Sequence, residues 1–244
     1  MKMHQSMRST YYLLSLLLLL SIGGQAHSSV KKKGIRVLMV GGGSSHDFDR
    51  WYKQEDVATL ERGKLAKVTY TQDPSQILTL LPDTDVLFLA NNQPIEDKTI
   101  RKAIMAFSQA GKGVVLAHPA LWYNWADWPE YNKNLVGGGA RGHNKYGPFD
   151  VSITAPSHPV MKGVPAVFEL DDELYYFKSD PEGSPIKVLA TAKSTQSDAV
   201  FPSVFEVQYG KGRILGIALG HDAGSHSLPA YQSLIRNAVK WVSK

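Results

Sequence analysis

The stretch Ile35–Arg36–Val37–Leu38–Met39–Val40, followed at once by Gly41–Gly42–Gly43–Ser44–Ser45–His46–Asp47, decides the fold. Its aliphatic run shows no polar alternation, so it reads as a strand buried on both faces. Such strands belong to parallel sheets covered by helices. The glycines stop the strand abruptly and open a turn, as at the first crossover of an α/β sheet.

Working outward, the same grammar recurs. A helix is expected around Trp51–Arg62, a strand at Lys67–Thr71 and a short helix from Pro74, where proline in the first turn loses no backbone bond. Asp85–Ala90 is a second buried run that breaks at Asn91–Asn92–Gln93–Pro94. A helix over Ile95–Gln109 places Ile100, Ala103, Ile104 and Phe107 at helical spacing, with Gly111 as its stop. The strand Gly113–Ala117 runs straight into His118. This alternation predicts a doubly wound, mostly parallel α/β sheet of the flavodoxin-like kind. From Pro119 to about Phe149 periodicity fails, and Trp122, Tyr123, Trp125, Trp128 and Tyr131 crowd together. Phe149–Thr154, Val167–Leu170, Leu174–Phe177, Ile186–Thr191 and Val204–Tyr209 read as shorter strands broken by prolines, a β-rich insertion forming a layer or an edge extension. Arg213–Leu219 is a last buried strand ending in Gly220–His221–Asp222, and Ser227–Val242 is a closing amphipathic helix.

Lys2 and Arg8 precede the apolar run Leu13–Ile22, which small residues follow. This is the pattern of a signal peptide over residues 1–28, too short for a membrane span. Residues 29–34 read as a flexible tail and 35–244 as one domain, giving a secreted or periplasmic protein without stable membrane insertion. The chain of 244 residues carries a formal charge of +5, which falls to +3 without Lys2 and Arg8, so basicity gives no case for nucleic acid. It contains no cysteine, which excludes a thiolate nucleophile, disulfides and cysteine-ligated metal. No G-x-S-x-G elbow follows a strand, and Gly41–Gly42–Gly43 lacks the spacing of a dinucleotide fingerprint, so neither a serine hydrolase nor a nucleotide or flavin site is expected.

In open α/β sheets ligands bind outside the carboxyl ends of the strands, at the topological switch point. Four such ends carry Gly43–Ser44–Ser45–His46–Asp47, Asn91–Asn92–Gln93, His118 and His221–Asp222. His46, His118 and His221 thus fall on one edge.

The segments Gly111 to His118 (GKGVVLAH), His158 to Gly163 (HPVMKG) with Phe168 to Tyr175 (FELDDELY), and Gly212–Arg213 through Ala218 to Asp222 (ALGHD) resemble the ThuA-like, trehalose-utilisation family of the class I glutamine amidotransferase-like superfamily. In a glutaminase of that superfamily a cysteine stands in the turn after the central strand and a histidine with an acidic partner after a late strand. By resemblance those places fall to His118 and to His221 with Asp222, so thioester chemistry is excluded and two imidazoles face each other. The resemblance further implies carbohydrate catabolism, on oxidised (3-keto) disaccharides or glycosides handled with partner sugar dehydrogenases, and leaves room for a homo-oligomer.

Three chemistries suit such a site. His46, His118 and His221 with Asp47, Asp222 or Glu173 could bind a divalent metal such as Zn or Mn, for which the leading set is His46, His118, His221 and Asp222. Alternatively, His118, His221 and Glu173 perform metal-free acid–base catalysis. The third reading is a non-catalytic carbohydrate-binding or assembly module. Asn91, Asn92, Trp122, Tyr123, Asn124 and His143 are the candidate substrate contacts, since flat aromatic faces stack on sugar rings. His158 reads as a structural turn residue and His226 as a weak candidate.

Overall fold

The computed structural model describes Met1 and residues 34–122 and 126–244. The expected leader, most of the tail, and the candidate substrate residues Tyr123 and Asn124 lie outside the described residues.

The strands are β1 (Ile35–Val40), β2 (Ala66–Thr71), β3 (Val86–Leu89), β4 (Gly113–Ala117), β5 (Gly138–His143), β6 (Gly147–Ile153), β7 (Val167–Asp172), β8 (Tyr175–Ser179), β9 (Ile186–Lys193), β10 (Val200–Val207) and β11 (Ile214–Ile217). The helices are α1 (Val57–Glu61), continuing a wide helical segment Asp49–Asp56, then α2 (Ile77–Leu80), α3 (Lys98–Gln109), α4 (Ala223–His226) and α5 (Pro229–Val242).

One sheet runs in the order β2-β1-β3-β4-β11-β10-β9-β6-β7. Its first five strands are parallel. The chain leaves β1 on one side for β2 and returns on the other for β3, which makes the gap between β1 and β3 the switch point. The continuous apolar runs follow from burial on both faces. Val37, Met39, Val86, Phe88, Val115, Ala117, Leu215 and Ile217 pack toward Leu60 of α1 and Leu234, Ile235 and Val239 of α5. Leu38, Val40, Leu87, Leu89, Val114, Leu116 and Ile214 pack toward Ile77 of α2 and Ile100, Ile104 and Phe107 of α3. Residues of alternate parity serve opposite faces, as the period-two pleat requires.

The β-rich insertion is an edge extension: β10, β9, β6 and β7 continue the same sheet antiparallel. Pro202, which broke the sequence pattern, sits in β10 where the register with β9 shifts, a place where a missing N–H is tolerated. The aperiodic segment contains β5, which the glycines at 137–139 hid; β5 pairs antiparallel with β8 as a separate ribbon. Trp128 and Tyr131 from that segment are buried, and Tyr131 donates its hydroxyl to the Ala120 carbonyl at 2.7 Å, so these two rings staple the segment to the body. Among the described residues no helix is long and apolar enough to cross a membrane.

Candidate functional site

Four side chains from separate segments converge at the carboxyl edge of the parallel strands. His46 comes from the turn after β1. Gly42 and Gly43 hold φ of 102° and 131° there, and a Cβ at Gly43 would lie 1.8 Å from Asn92 Oδ1. The glycines therefore let the turn press against the exit of β3, where the Ser44 amide donates to Asn92 Oδ1 (2.9 Å) and Asn92 Nδ2 donates to the Ser44 carbonyl (3.0 Å). His118 follows β4 directly, His221 follows β11, and Glu173 lies between β7 and β8.

One ligand atom from each of His46, His118, Glu173 and His221 lies within 4.8 Å of all the others. His118 Nε2 stands 3.7 Å and His221 Nδ1 3.3 Å from Glu173 Oε2. The His46 ring lies 5.2 Å from His118 and 4.8 Å from His221, centroid to centroid. His118 Nδ1 faces the Ala218 carbonyl at 2.8 Å and His46 Nδ1 the Ser44 carbonyl at 3.0 Å. A carbonyl only accepts, so both Nδ1 atoms carry the hydrogen and both Nε2 atoms offer a lone pair to the cluster. His46 Nε2, His118 Nε2 and His221 Nδ1 are buried without a hydrogen-bond partner. Three inward-facing imidazole nitrogens without a hydrogen-bond partner, beside a carboxylate, are the donor types of an N/O metal shell, and leaving a buried polar atom unpaired costs about 1–3 kcal/mol.

At His46 and Glu173 the electrostatics suit ligand duty, while at His221 a cation would have to displace a proton. Burial, reinforced by the neighbouring His118, lowers His46 to about 3 and keeps its imidazole neutral. Burial would raise the Glu173 carboxyl, but the facing imidazoles of His118 and His221 outweigh it and hold Glu173 well below the usual carboxylate range. Glu173 in turn raises His221.

A cavity of about 280 Å³ opens over the cluster, lined by Ser44, Ser45, His46, Asn92, Trp122, His143, Glu173 and Tyr175. The Trp122 ring lies 5.7 Å from His143 and 5.4 Å from Tyr175. His143 faces the Asn144 carbonyl through Nδ1 at 2.7 Å and stands 3.7 Å from Glu173 Oε1. Tyr175 stacks on His118 at 4.0 Å.

The structure places the remaining candidates differently. Asp222, in the expected ligand set, lies outside the cluster. Its Oδ1 accepts from the Gly224 amide (2.9 Å) as the cap of α4 and from the Tyr146 hydroxyl (2.8 Å), and Glu173 supplies the carboxylate instead. Asp47 caps the next turn by accepting from the Arg50 amide at 3.0 Å. Asn91 is buried and donates to the Gln93 carbonyl at 3.3 Å, so it shapes the β3 exit and is absent from the cavity lining. His158 accepts from the Val160 amide (3.3 Å) and pairs with Glu206 (3.1 Å), a turn-forming role. His226 is buried against Asp56 at 2.7 Å. Sequence reasoning missed Tyr175; within the acidic run Asp171–Asp172–Glu173 before that aromatic strand it singled out Glu173.

The sequence matches the profile of the ThuA family, described as trehalose utilisation, over residues 27–242. Among solved structures it is similar to a ThuA-like protein of Parabacteroides merdae (22% identity, TM-score 0.77, 87% of this chain and 91% of that one). A ThuA-like protein of Bacteroides uniformis is similar at 22% identity and TM-score 0.71, over 86% and 92% of the two chains. A glutamine amidotransferase of Thermotoga maritima shares the fold at 11% identity, TM-score 0.55, over 86% and 98%. No curated protein matches the sequence.

Proposed function

We propose, from the premise that this chain belongs to the ThuA family of trehalose utilisation, that it is a carbohydrate-active enzyme whose His46, His118, His221 and Glu173 hold a divalent cation. The observation that carries this reading is the convergence of three buried, unpartnered imidazole nitrogens on one carboxylate. Three nitrogens and one oxygen suit Zn or Mn, and the carbonyls behind His46 and His118 fix their tautomers as outer partners of metal-bound histidines do.

The substrate class proposed is an oxidised (3-keto) disaccharide or glycoside. A bound cation would polarise a sugar carbonyl and so acidify the neighbouring carbon. The chain's own residues do the rest. Trp122 offers an aromatic face to the ring in the cavity. His143 lines the cavity, and with Nδ1–H directed to the Asn144 carbonyl its Nε2 keeps the lone pair, so it is the proposed base for the proton beside the ketone. Returned to the former carbonyl carbon, with the neighbouring hydroxyl proton passing to the former carbonyl oxygen, that proton completes an isomerisation; passed to the glycosidic oxygen as its C–O bond breaks and a C=C bond forms, it completes an elimination. Glutaminase chemistry is absent because the chain has no cysteine and His118 occupies the turn after β4. We further propose export of the chain by the 1–28 leader.

The test is metal analysis of purified protein together with turnover of a 3-keto glycoside. Bound metal that disappears in His118→Ala and His221→Ala, with loss of turnover, supports the reading. Undiminished turnover in those variants overturns it.

A further inference from the structure

Behind the cluster lies a fully buried carboxylate that contributes no ligand atom to it. Asp172 accepts from the Glu173 amide (2.7 Å), the Gly220 amide (2.8 Å), the His221 amide (3.3 Å) and the Ser225 hydroxyl. Two of these amides belong to Glu173 and His221 themselves, residues 48 positions apart that come from different halves of the sheet. The Gly220 peptide is held from its other side as well. Its carbonyl accepts from the Tyr52 hydroxyl (2.5 Å) and faces His226 Nε2 (3.0 Å), whose Nδ1 faces Asp56 at 2.7 Å. With an acceptor before each nitrogen, His226 donates from both. Gly220 has φ +127°, and a Cβ there would lie 3.0 Å from the Tyr231 hydroxyl, so the pivot is closed to larger residues.

We propose that Asp172 is a positioning residue that fixes the separation of the Glu173 carboxylate and the His221 imidazole before any cation arrives, with Asp56 and His226 bracing Gly220 from behind. The physical reason is that a buried carboxylate with four donors is a rigid node. Both ligand-bearing segments hang from it by their backbones, through the amides of Glu173 and His221 themselves and of Gly220 beside them. The inference rests on the metal reading for its affinity readout, but the clamp itself is also measurable in metal-free protein.

The experiment is Zn²⁺ titration and the visible spectrum of the Co²⁺-loaded full chain for wild type, Asp172→Asn and Ser225→Ala, with Asp85→Asn as a destabilised control at the opposite end of the strands. Asp172→Asn sets an NH2 group against donors, and its Zn²⁺ affinity is expected to fall about 10–100-fold with a changed Co²⁺ spectrum. Ser225→Ala, which keeps the three amide bonds, should fall less, and Asp85→Asn should keep wild-type affinity. Should Asp172→Asn fail to fold, Ser225→Ala decides. Affinity and spectrum unchanged in folded Asp172→Asn, or in Ser225→Ala if only that variant folds, overturn the clamp. If wild type binds neither ion, the metal reading fails and amide exchange decides the clamp. Exchange at Gly220, His221 and Glu173 should then quicken about tenfold in the variants, and unchanged exchange overturns the proposal.

Discussion

At the scale of single residues, the site is defined by atoms that have nothing else to do. His118 is fully buried, its Nδ1 is committed to Ala218, and its Nε2 has no hydrogen-bond partner, only Glu173 at 3.7 Å. Replacing it with alanine should abolish metal retention while leaving the fold intact, read by elemental analysis beside the far-ultraviolet spectrum. His143 belongs to a different class, close to Glu173 but outside the ligand set. His143→Gln is expected to keep metal content and lose about 10²–10⁴-fold in kcat; a kcat near wild type would remove it as the base. Much of this was legible in the sequence. His46, His118 and His221 stand immediately after aliphatic runs, and strand ends are where such sheets bind ligands. The carboxylate of the cluster was harder to place, because Asp222 follows His221 directly while Glu173 reaches the cluster only through the pairing of β6 and β7 at the far side of the sheet. Nor could the sequence show that Trp122 faces the cavity while Trp128 packs into the core.

At the scale of elements, each residue of the cluster depends on how its strand ends. The turn after β1 needs glycine at 43, both for φ of 131° and for the approach of Asn92 Oδ1. Gly43→Ala should cost about 1–3 kcal/mol in a denaturant titration and weaken metal binding by displacing His46. At the other end of β1 and β3, Arg36 grips Asp85 through Nη2 to Oδ1 (2.7 Å) and Nε to Oδ2 (3.0 Å). That grip lowers Asp85 to about 2. The folded value lies below the unfolded one, so this contribution is complete above about pH 4 and is lost as pH falls toward 2. Asp85→Asn should cost about 1 kcal/mol at neutral pH, given the partial exposure of both partners, and flatten the acid limb of the stability profile. An unaltered acid limb would show that the pair contributes nothing. The parallel elements were readable because burial on both faces leaves an unbroken aliphatic run; β5 was not, since Gly138 and Gly139 carry no side-chain pattern.

At the scale of the whole molecule, one sheet joins a parallel, doubly wound half to an antiparallel half, and the site needs both. His46, His118 and His221 come from the first and Glu173 from the second. Because the halves share the β11–β10 pairing, unfolding should be one transition, with tryptophan fluorescence and far-ultraviolet signals coinciding; separated midpoints would mean that the halves melt independently. The alternation of strands and helices predicted the doubly wound half, and the superfamily resemblance predicted that His118 stands where a glutaminase carries cysteine. The β-rich stretch was legible as either a layer or an edge extension; the pairings that decide for the extension, β10 with β11 and β6 with β9, carry no signal in the residues themselves. The central claim is that this fold exchanged a thiolate for an imidazole–carboxylate metal centre. It is tested most directly by equilibrating the full chain with Zn²⁺ or Mn²⁺, removing free ion and measuring retained metal in wild type and His118→Ala. The account predicts about one ion per chain in wild type and none in the variant; a wild-type chain that retains neither metal, or a variant that retains as much as wild type, contradicts it.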